Sequence, residues 1–491
     1  MSSPLPLPRV DRRRALQGLL ATAATGAALP FLKACSAAPP EGLGHGRAKG
    51  EWRNWSGSQA ARPRAWVAPR DEDALRALMR DTRGPLRPVG ASHSFSPGVP
   101  TDGTLLSLSK LSGRVDHDPD RRQATLWAGT TVRDAGPLLA AVGQALPNQG
   151  AVDPQTLGGA IGTATHGTGI SLGSFSSMVA GLRLVTPHGE VIDCDAERNA
   201  DLFQAACTGI GALGVVSQVR LQNRAAFRLR QREYTQPLKD VLANIDTLRQ
   251  QHRHFEFFAF FHADDVLVKT LDETDAADTP EPLLQLPVDA ALWLASELAH
   301  GLPNADALLQ RVLVSLSDAA AERVGPSYRI FPSPREVAFN EMEYEVPVDN
   351  GPDCLMEIID TVRASDIRTL FPIEYRHVAA ESAWPGCGRM ACSSGAKTRS
   401  VPSSPSTDIA AATSAVRSSI RRSCRASTSI PSMPSVPLMR ASPSLAASST
   451  GSRPAAASAS AAGTSAPEAS RTSPSPISAS AQCESGARSP E

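Results

Sequence analysis

The composition of the chain changes abruptly after Trp384, and this limits where a folded core can lie. Beyond that residue Ser and Ala make up nearly half of the sequence, and Phe, Tyr and Trp are absent. Such a segment has too little apolar surface to offset the entropy of ordering its backbone. We therefore expect a low-complexity, disordered tail over residues 385–491 and a folded core before it.

Two origins of this tail remain open. It is either a natural disordered segment or the out-of-frame translation of a GC-rich gene, as its ten Arg against one Lys indicate. We favour the frameshift, because the change is abrupt and no linker separates it from the preceding strand. Resequencing the gene tests this hypothesis.

The overall charge is the sum of two opposite parts. The 49 basic and 49 acidic residues divide into 38 and 45 up to Trp384, and 11 and 4 after it. The folded part is therefore mildly acidic, which excludes a nucleic-acid binder with a basic face. Eight cysteines without a CxxC pair predict neither a disulfide scaffold nor a zinc ribbon, and no metal site is expected.

The amino-terminal segment has the pattern of an export signal. Three arginines, Arg12–Arg14, precede an Ala-rich, weakly apolar run, which resembles a twin-arginine signal over residues 1–38. An ordinary secretory signal is the alternative. Leu32–Cys35 resembles a lipoprotein cleavage box, which makes Cys35 a lipidation candidate. A Pro- and Gly-rich linker follows over residues 39–50.

Short strands and helices alternate over the next 330 residues. Strand-like runs at 66–67, 86–89, 105–108 and 124–128 are interleaved with helical runs, one of them preceded by the N-cap residue Asp71. A hairpin is predicted over 179–194, and the second half has a helix near 238–248 and strands at 254–262, 341–346 and 370–379. This mixed order predicts an α+β fold with one domain over 51–224 and another over 225–384.

A dinucleotide-binding motif is present but lies in the wrong context. Gly209–Gly214 matches GxGxxG, which in a nucleotide-binding βαβ unit follows a strand and opens a helix. Here a predicted helix, residues 201–207, precedes it and a predicted strand, 215–221, follows. The motif therefore predicts a close backbone turn rather than a nicotinamide site.

Two further glycine-rich segments, residues 87–95 and 158–168, carry the strongest functional signal. Both offer bare backbone N–H groups and Ser or Thr hydroxyls, which suit a pyrophosphate. Together with Asn54–Gly57, Pro147–Gly150 and Asp153–Thr156, they resemble the FAD-binding domain of the vanillyl-alcohol oxidase/p-cresol methylhydroxylase superfamily. Within it, the match is closest to the sugar-lactone (gulonolactone and arabinonolactone) and alditol oxidases.

The resemblance implies a two-lobed FAD-binding domain of the p-cresol methylhydroxylase type and a substrate domain that is α+β and truncated. It implies FAD as the cofactor and His93 as the candidate for a covalent bond to the flavin. His166 is expected to hold its loop by hydrogen bonds rather than to act in catalysis. The implied cofactor residues are Arg87, Pro88, Val89, Gly90, Ala91, Ser92, His93, Ser94, Asp153, Thr156, Gly158, Gly159, Thr163, Thr165, His166, Gly167, Gly214 and Val215.

The predicted catalytic pair is Glu374 and Arg376. On a strand, residues two apart point to the same face, so a carboxylate and a guanidinium would lie side by side. Arg suits substrate oxygens, and Glu can orient a hydroxyl or take its proton. A surface ion pair is the alternative for such a pattern, and the resemblance implies the active-site role.

The sequence departs from the family after Trp384, where a His-Trp-Gly-Lys-like segment and a Asp-Pro-x-x-x-Phe-x-Asn stretch are absent. Losing elements that cover a sheet would expose apolar surface costing much of a typical stability of about 5–15 kcal/mol. We therefore expect either an exported FAD-dependent oxidoreductase or a catalytically impaired flavin-binding remnant. The enzyme would oxidise an alcohol carbon of a sugar lactone or polyol, with oxygen or another acceptor, in the periplasm or lipid-anchored to a membrane.

Overall fold

The computed structural model describes residues 50–280, 292, 295–296, 298–299, 302, 305–317, 321–333, 337–381 and 391–399. The predicted alternation of short strands and helices is present throughout these residues. Within them, no helix combines the length and the apolar character that a membrane span requires.

The first half of the described chain contains a three-stranded parallel sheet. Its strands are β3 (Ala65–Val67), β5 (Thr104–Ser107) and β4 (Leu86–Val89), in that spatial order. The helix Glu72–Asp81 connects β3 to β4, and the side chain of Asp71 accepts a hydrogen bond from Ala74 N at 2.7 Å. The predicted N-cap is confirmed, because this bond satisfies a donor that the first helical turn leaves unpaired.

A five-stranded antiparallel sheet packs in the same half. Its order is β10-β9-β11-β7-β6, with β6 Arg114–Asp118, β7 Gln123–Trp127, β9 Val179–Val185, β10 Val191–Cys194 and β11 Val215–Gln222. The predicted 179–194 hairpin is confirmed by the antiparallel pairing of β9 and β10. Small ladders join β1 (Trp52–Arg53) to β2 (Ala60–Ala61) and β8 (Gln144–Ala145) to β12 (Arg224–Ala225).

The second half is built on a seven-stranded antiparallel sheet. Its order is β16-β13-β15-β14-β18-β19-β17, with β13 Arg228–Pro237, β14 His254–Ala259, β15 Asp265–Glu273, β16 Ala321–Pro326, β17 Phe339–Pro347, β18 Ile373–Val378 and β19 Ala391–Arg399. One face of this sheet carries the larger apolar core of this half, in which Phe257 stacks on Tyr375 at 4.8 Å. The opposite face of the central strands carries His254, Glu256, Glu374 and Arg376.

Strand β19 lies beyond the boundary that composition places at Trp384. Its backbone pairs with β18 on one side and β17 on the other. Main-chain hydrogen bonds on both edges hold an interior strand without requiring the alternation of apolar side chains that this segment lacks. The sheet therefore does not end at Trp384.

The helices follow the predicted pattern with one correction. The single helix predicted near 238–248 is two helices, interrupted at Asn244 (φ −113°, ψ 13°). The helical segments are Glu72–Asp81, Val132–Ala140, Leu157–Gly162, Ala200–Ala206, Leu238–Ala243, Ile245–Gln251, Asp306–Leu316, Ser327–Ile330 and Gly351–Arg363, with 3-10 turns at Ser176–Met178 and Val348–Asn350.

Candidate active site

Three glycine-rich segments meet in the first half of the chain: a first loop (residues 87–95), a second loop (residues 153–168) and a third turn (residues 209–214). A Cβ atom added at Gly90 would lie 2.3 Å from Thr156 Oγ1, so the first and second loops are in contact. A Cβ atom at Gly211 would lie 3.4 Å from Pro88 Cγ, and Ile210 N donates to the second loop. The helix Ala200–Ala206 before the third turn and β11 after it confirm that this is no dinucleotide-binding βαβ motif.

The first loop is fixed by an unusual backbone conformation. Ser92 is buried with a φ of 63°, and its hydroxyl accepts a hydrogen bond from Trp52 Nε1 at 3.0 Å. Trp55 N donates to the Ser92 carbonyl at 2.7 Å. The half-buried ring of His93 stacks on Trp55, with centroids 5.2 Å apart and planes 28° apart. The loop therefore holds the imidazole of His93 in a defined position.

The second loop presents main-chain and hydroxyl groups to solvent. Thr156 caps the helix Leu157–Gly162, and Thr163 Oγ1 donates to Gly159 O at 3.0 Å. Gly159 and Thr163 are both exposed. A ligand can approach these exposed groups closely, but their donors now bond within the loop, so an anionic oxygen would have to take over the hydrogen bonds from Gly159 N and the Thr163 hydroxyl.

The residues of these loops fit an FAD. In the segment predicted to lie beside the flavin ring, the buried atoms Gln149 Nε2 and Gln155 Oε1 have no hydrogen-bond partner among the described residues. A buried polar atom without a partner costs free energy, which a bound group with complementary atoms would recover. Bare glycines at Gly90 and Gly159 add the close backbone approach that a pyrophosphate needs.

Several predicted cofactor residues contact the protein itself. Arg87 is exposed on β4, an edge strand of the parallel sheet. The Asp153 carboxylate accepts two hydrogen bonds from Arg133, at 2.9 and 3.1 Å. Gly214 has a φ of 142°, and a Cβ there would meet a carbonyl of β9 at 2.7 Å, whereas Val215 is buried in the core. Asp153 and Gly214 therefore have close contacts within the protein and Val215 is buried, whereas Arg87 is exposed.

Most of the remaining predicted residues of the two loops contact residues of the surrounding fold. Val89 is buried beside Trp52, and the Ser94 carbonyl accepts a hydrogen bond from Asn54 Nδ2 at 3.1 Å. Gly158 packs on residue 128, and Thr165 Oγ1 lies 3.3 Å from the Thr163 hydroxyl. Ala91 is half-buried.

Glu374 and Arg376 lie side by side on β18, as predicted from their spacing. Arg376 Nη1 lies 3.3 Å from Glu374 Oε1, and the two side chains retain only 18% and 12% of their exposure. Arg376 Nη2 donates to Oε1 of a third residue, Glu343 on β17, at 2.7 Å. Glu343 and Glu374 share a register position with Gly395 of the intervening β19, so no side chain separates them. The Glu374–Arg376 pair is therefore largely buried, whereas Glu343 is partly exposed.

His166 joins this cluster to the second loop. Its Nε2 lies 3.3 Å from Glu343 Oε1, and its Nδ1 lies 2.9 Å from the Gly167 carbonyl oxygen. A Cβ at Gly167 would lie 2.5 Å from the Gln149 carbonyl, within the segment predicted beside the flavin. His166 therefore holds its loop, as expected, and also reaches the Glu374–Arg376 pair through Glu343.

The charges in this cluster stabilise one another. Burial alone would raise the pKa of Glu343, but Arg376 and His166 more than offset this and hold that pKa well below its ordinary value. Burial alone would lower the pKa of Arg376, and the carboxylates of Glu343 and Glu374 reverse this and raise it. Glu343 retains 36% of its side-chain surface, so it is more exposed than Glu374 and Arg376.

The charged face continues beyond the predicted pair. Glu256 lies directly opposite Arg376 across the β14–β18 ladder, and Lys269 Nζ lies 3.0 Å from Glu256 Oε1. Both members of this ion pair are less than 10% exposed. Glu343, Glu256 and Lys269 were not predicted as site residues from the sequence. The alternation of glutamates at 341, 343 and 345 was a signal for the first, but Lys269 has no such pattern around it.

The histidines near the aromatic strand belong to the packed interior. His254 is buried, and burial lowers its pKa to about 3. His377 is buried as well, and burial lowers its pKa to about 4. Burial is also the main reason that the pKa of the half-buried His262 is lowered. The aromatics Phe255, Phe257 and Phe261 are core residues, as the alternation predicted.

The predicted export signal, the linker up to residue 49 and the lipidation candidate Cys35 lie outside the described residues, as does the tail from residue 400.

Two family profiles match the chain. One, described as an FAD binding domain, matches residues 63–195. The other, described as D-arabinono-1,4-lactone oxidase, matches residues 219–410. Together they cover both the glycine-rich loops and the charged sheet face.

Curated relatives include lactone oxidases and dehydrogenases. An L-gulono-1,4-lactone dehydrogenase from Mycobacterium tuberculosis is 35% identical over 343 residues, which is 68% of this chain and 79% of the relative. An L-gulonolactone oxidase from Scyliorhinus torazame is 30% identical, over 67% of this chain and 77% of the relative. Among solved structures, a solvent-stable cholesterol oxidase matches with a TM-score of 0.63 at 17% identity, covering 73% of this chain and 81% of that one.

Proposed function

Because the chain belongs to the family of FAD-dependent sugar-lactone oxidases and dehydrogenases, we propose that it oxidises an alcohol carbon of a sugar lactone by hydride transfer to FAD. FAD is the cofactor, and the protein is an oxidoreductase that acts on CH–OH groups. The fold combines helices and sheets, as expected, and its FAD-binding domain resembles that of cholesterol oxidase.

The observation that carries this proposal is the carboxylate–guanidinium pair next to the cofactor loops. Arg376 and Glu374 lie on the polar face of the sheet, and His166 of the second loop contacts that face through Glu343. A planar guanidinium offers several donors in fixed geometry, which suits a lactone carbonyl or the hydroxyls of a sugar. The carboxylate beside it suits a hydroxyl that must lose its proton.

Bound FAD supplies the acceptor for a hydride. Arg376 would hold substrate oxygens and orient the reacting carbon, and Glu374 would accept the hydroxyl proton while the carbon-bound hydrogen leaves with its electron pair. The alcohol thereby becomes a carbonyl, with one proton on the carboxylate and two electrons on the cofactor. Low exposure of the cluster keeps these charges from being screened by water.

Anaerobic mixing of the FAD-loaded protein with L-gulono-1,4-lactone and D-arabinono-1,4-lactone tests the proposal. At least one lactone should bleach the visible flavin band, because hydride transfer reduces the ring. A flavin that dithionite bleaches but no lactone does would contradict the proposed function.

The alternative of an impaired flavin-binding remnant is not favoured. The lactone oxidase profile runs to residue 410, and β19 at residues 391–399 completes the sheet next to β18. The frameshift hypothesis for the tail stays a prediction.

We extend the proposal to the acceptor and to the breadth of substrates. Relatives are named both as oxidases and as a dehydrogenase, which supports oxygen or another electron acceptor. Admitting oxygen to the lactone-bleached protein separates the two, because only an oxidase regains its colour rapidly. Polyols are a second proposed class of substrate and are added in the same bleaching test. No nucleic acid is expected as a partner.

We also propose that His93 forms a covalent bond to the methyl carbon of the flavin ring. The bond would replace one C–H bond of that methyl group and the imidazole N–H bond; the two protons would go to solvent, and the two electrons would pass to the same acceptor that reoxidises the flavin in turnover. Its ring stacks on Trp55, which contacts Phe339 at the start of β17. Glu343 lies four residues farther along that strand, about 13 Å at the usual rise, so the strand that Trp55 contacts also carries a member of the charged cluster. Acid precipitation should leave yellow flavin on the polypeptide, and flavin in the supernatant would contradict the bond.

Export through the twin-arginine route to the periplasm completes the proposal. That route carries folded, cofactor-loaded proteins, which suits a flavoenzyme. Intact-mass spectrometry of the native protein would report signal cleavage, any lipid on Cys35, the flavin adduct and the carboxyl terminus in one spectrum. A mass that retains residues 1–38 would contradict export with signal cleavage.

A further inference from the structure

The end of the second loop lies between two strands of the charged sheet. Strands β14 and β18 both extend past the position where Glu256 pairs with Arg376, but the described ladder between them stops there. Thr168 and Gly169, where the second loop ends, contact both strands just beyond that point. Thr168 is only 5% exposed, so its contacts are sheltered from water.

Thr168 contacts β14 through two of its groups. Its hydroxyl donates to the Phe255 carbonyl oxygen at 2.9 Å, and its own carbonyl oxygen lies 2.7 Å from His254 Nδ1. A carbonyl oxygen only accepts, so the imidazole is the donor in the second contact. Phe255 is buried, and removing the hydroxyl would therefore take a hydrogen bond away from a buried carbonyl group, which costs free energy.

The same segment contacts β18 through its main chain. Gly169 N donates to the His377 carbonyl oxygen at 2.8 Å, and that oxygen lies 3.4 Å from the Thr168 hydroxyl. In return, Ala379 N donates to the Leu172 carbonyl oxygen at 3.0 Å. Gly169 has a φ of 136°, and a Cβ atom there would lie 2.9 Å from a main-chain carbonyl oxygen. This junction therefore favours glycine.

These contacts lie one residue away from the facing pair of Glu256 and Arg376. Phe255 precedes Glu256 on β14, and His377 follows Arg376 on β18. Because the backbone connects each contact directly to a member of the pair, a shift of either strand end relative to the loop would move a charged side chain of the sheet face.

We propose that Thr168 is a positioning residue for Arg376. Its hydroxyl fixes the ends of β14 and β18 against the second loop, and this sets where the guanidinium lies relative to that loop. The hydrogen bonds are independent of the substrate, whereas the effect on lactone oxidation rests on the proposed function. In that function Arg376 holds the lactone and the second loop holds part of the cofactor, so hydride transfer needs a defined distance between them.

Hydrogen–deuterium exchange of the full-length, FAD-loaded protein, measured by mass spectrometry, tests the structural part. The informative peptides contain Gly169 and Ala379, whose amides donate across the junction. Thr168→Val replaces the hydroxyl by a methyl group and should speed their exchange by about 10-fold, the value of one buried hydrogen bond. Thr168→Ser keeps the hydroxyl and should exchange within about 2-fold of the wild type.

Thr361→Val is the matched control. The Thr361 hydroxyl donates to a carbonyl oxygen of its own helix, Gly351–Arg363, at 2.7 Å, and that helix packs in the apolar core on the other face of the sheet. This variant should leave the exchange of Gly169 and Ala379 unchanged. Wild-type exchange in Thr168→Val, or equally fast exchange in Thr168→Val and Thr168→Ser, would overturn the proposal.

Anaerobic flavin reduction separates positioning from stability. At saturating lactone, Thr168→Val should reduce its flavin about 10-fold more slowly than the wild type with unchanged flavin content, and Thr168→Ser should stay within about 2-fold. Thr361→Val should keep the wild-type rate even where urea unfolding shows an equal loss of stability. A wild-type rate in Thr168→Val, or an equal loss of rate in Thr361→Val, would overturn the positioning role.

The two measurements also separate this inference from the proposed function. If no lactone bleaches the wild-type flavin, the proposed function fails. The exchange rates of the Thr168 variants still decide whether the hydroxyl fixes the two strands against the loop.

Discussion

The glycine-rich loops and the charged sheet face differ in their structural basis: the loops depend on positions without a side chain, and the sheet face depends on charged side chains. The loops at residues 87–95 and 153–168 meet where a side chain is missing, as at Gly90 against Thr156. The sheet face depends on long charged side chains from separate strands, such as Glu343 on β17 and Arg376 on β18. In the proposed function, binding of the large anionic cofactor would therefore use main chain, whereas binding of the small neutral substrate would use charged side chains.

This difference predicts different responses to mutation. On the sheet face, removing a charge while keeping the shape of the side chain should cause a large loss of activity or stability, because a buried charge left without its partner costs free energy. In the loops, a change of size at constant charge should matter most, because the space for a Cβ is absent.

The largest effect is expected for Glu374→Gln. Losing the carboxylate that takes the hydroxyl proton should slow flavin reduction by about 10²–10⁴-fold, with flavin content unchanged. Stopped-flow bleaching under anaerobic conditions measures the rate. Glu190→Gln, an exposed site in the first half, is the matched control. Equal rates in both variants would remove Glu374 from the chemistry.

Lys269→Met should be the most destabilising charge change on the sheet. It leaves Glu256 buried without its partner 3.0 Å away, which typically costs about 3–5 kcal/mol. Arg133→Ala breaks the pair with Asp153 in the cofactor half, where Arg133 is 65% exposed, and should cost about 1 kcal/mol or less. Equilibrium urea unfolding compares them, and similar losses would break the contrast between the two regions.

Acid should weaken the protein through the buried histidines of the sheet. The pKa of His254 is lowered to about 3 in the fold, below its unfolded value of about 6.5. Its stabilising contribution is therefore complete above the unfolded pKa and is lost as pH falls, by about 2 kcal/mol between pH 6.5 and 4.5. His377, with a pKa of about 4, adds to this loss.

The pH dependence of urea unfolding measures this effect. Replacing the exposed His188 of the cofactor half by Asn should leave the slope unchanged. His254→Asn should flatten it, because the buried ionisable group is gone. A wild-type stability that does not fall between pH 6.5 and 4.5 would contradict the buried, neutral state of these rings.

The smallest effect is expected in the loops, at constant charge. Gly90→Ala places a methyl 2.3 Å from Thr156 Oγ1, whereas Gly98→Ala has no atom within 4 Å of the new methyl. Overpacking of this kind costs about 1–3 kcal/mol, and we expect lower flavin content in Gly90→Ala alone. Absorbance of the purified variants measures it, and equal flavin content would argue against contact of the two loops at the cofactor.

The sequence was informative wherever a signal was local. The Asp71 cap, the 179–194 hairpin and the rejection of the Gly209–Gly214 motif each depend on neighbours along the chain, and each is confirmed. The side-by-side placement of Glu374 and Arg376 follows from the two-residue period of a strand.

Contacts between distant strands lay beyond such reasoning. Glu343 meets Arg376 across β19, a strand whose composition gives no sign that it pairs on both edges. The Glu256–Lys269 pair likewise depends on the register of β14 against β15. Local periodicity predicts which face a residue occupies, but the strand order decides which residues share that face.

Flavin content and flavin reduction measured together in Arg376→Met test the central claim most directly. The claim is that the charged sheet face handles the lactone while the glycine-rich loops hold FAD. The variant should carry as much flavin as the wild type, and a sugar lactone should bleach it at least about 100-fold more slowly, as for loss of one preorganised donor. Bleaching at the wild-type rate, or a loss of flavin that accounts for the whole loss of rate, would contradict the account.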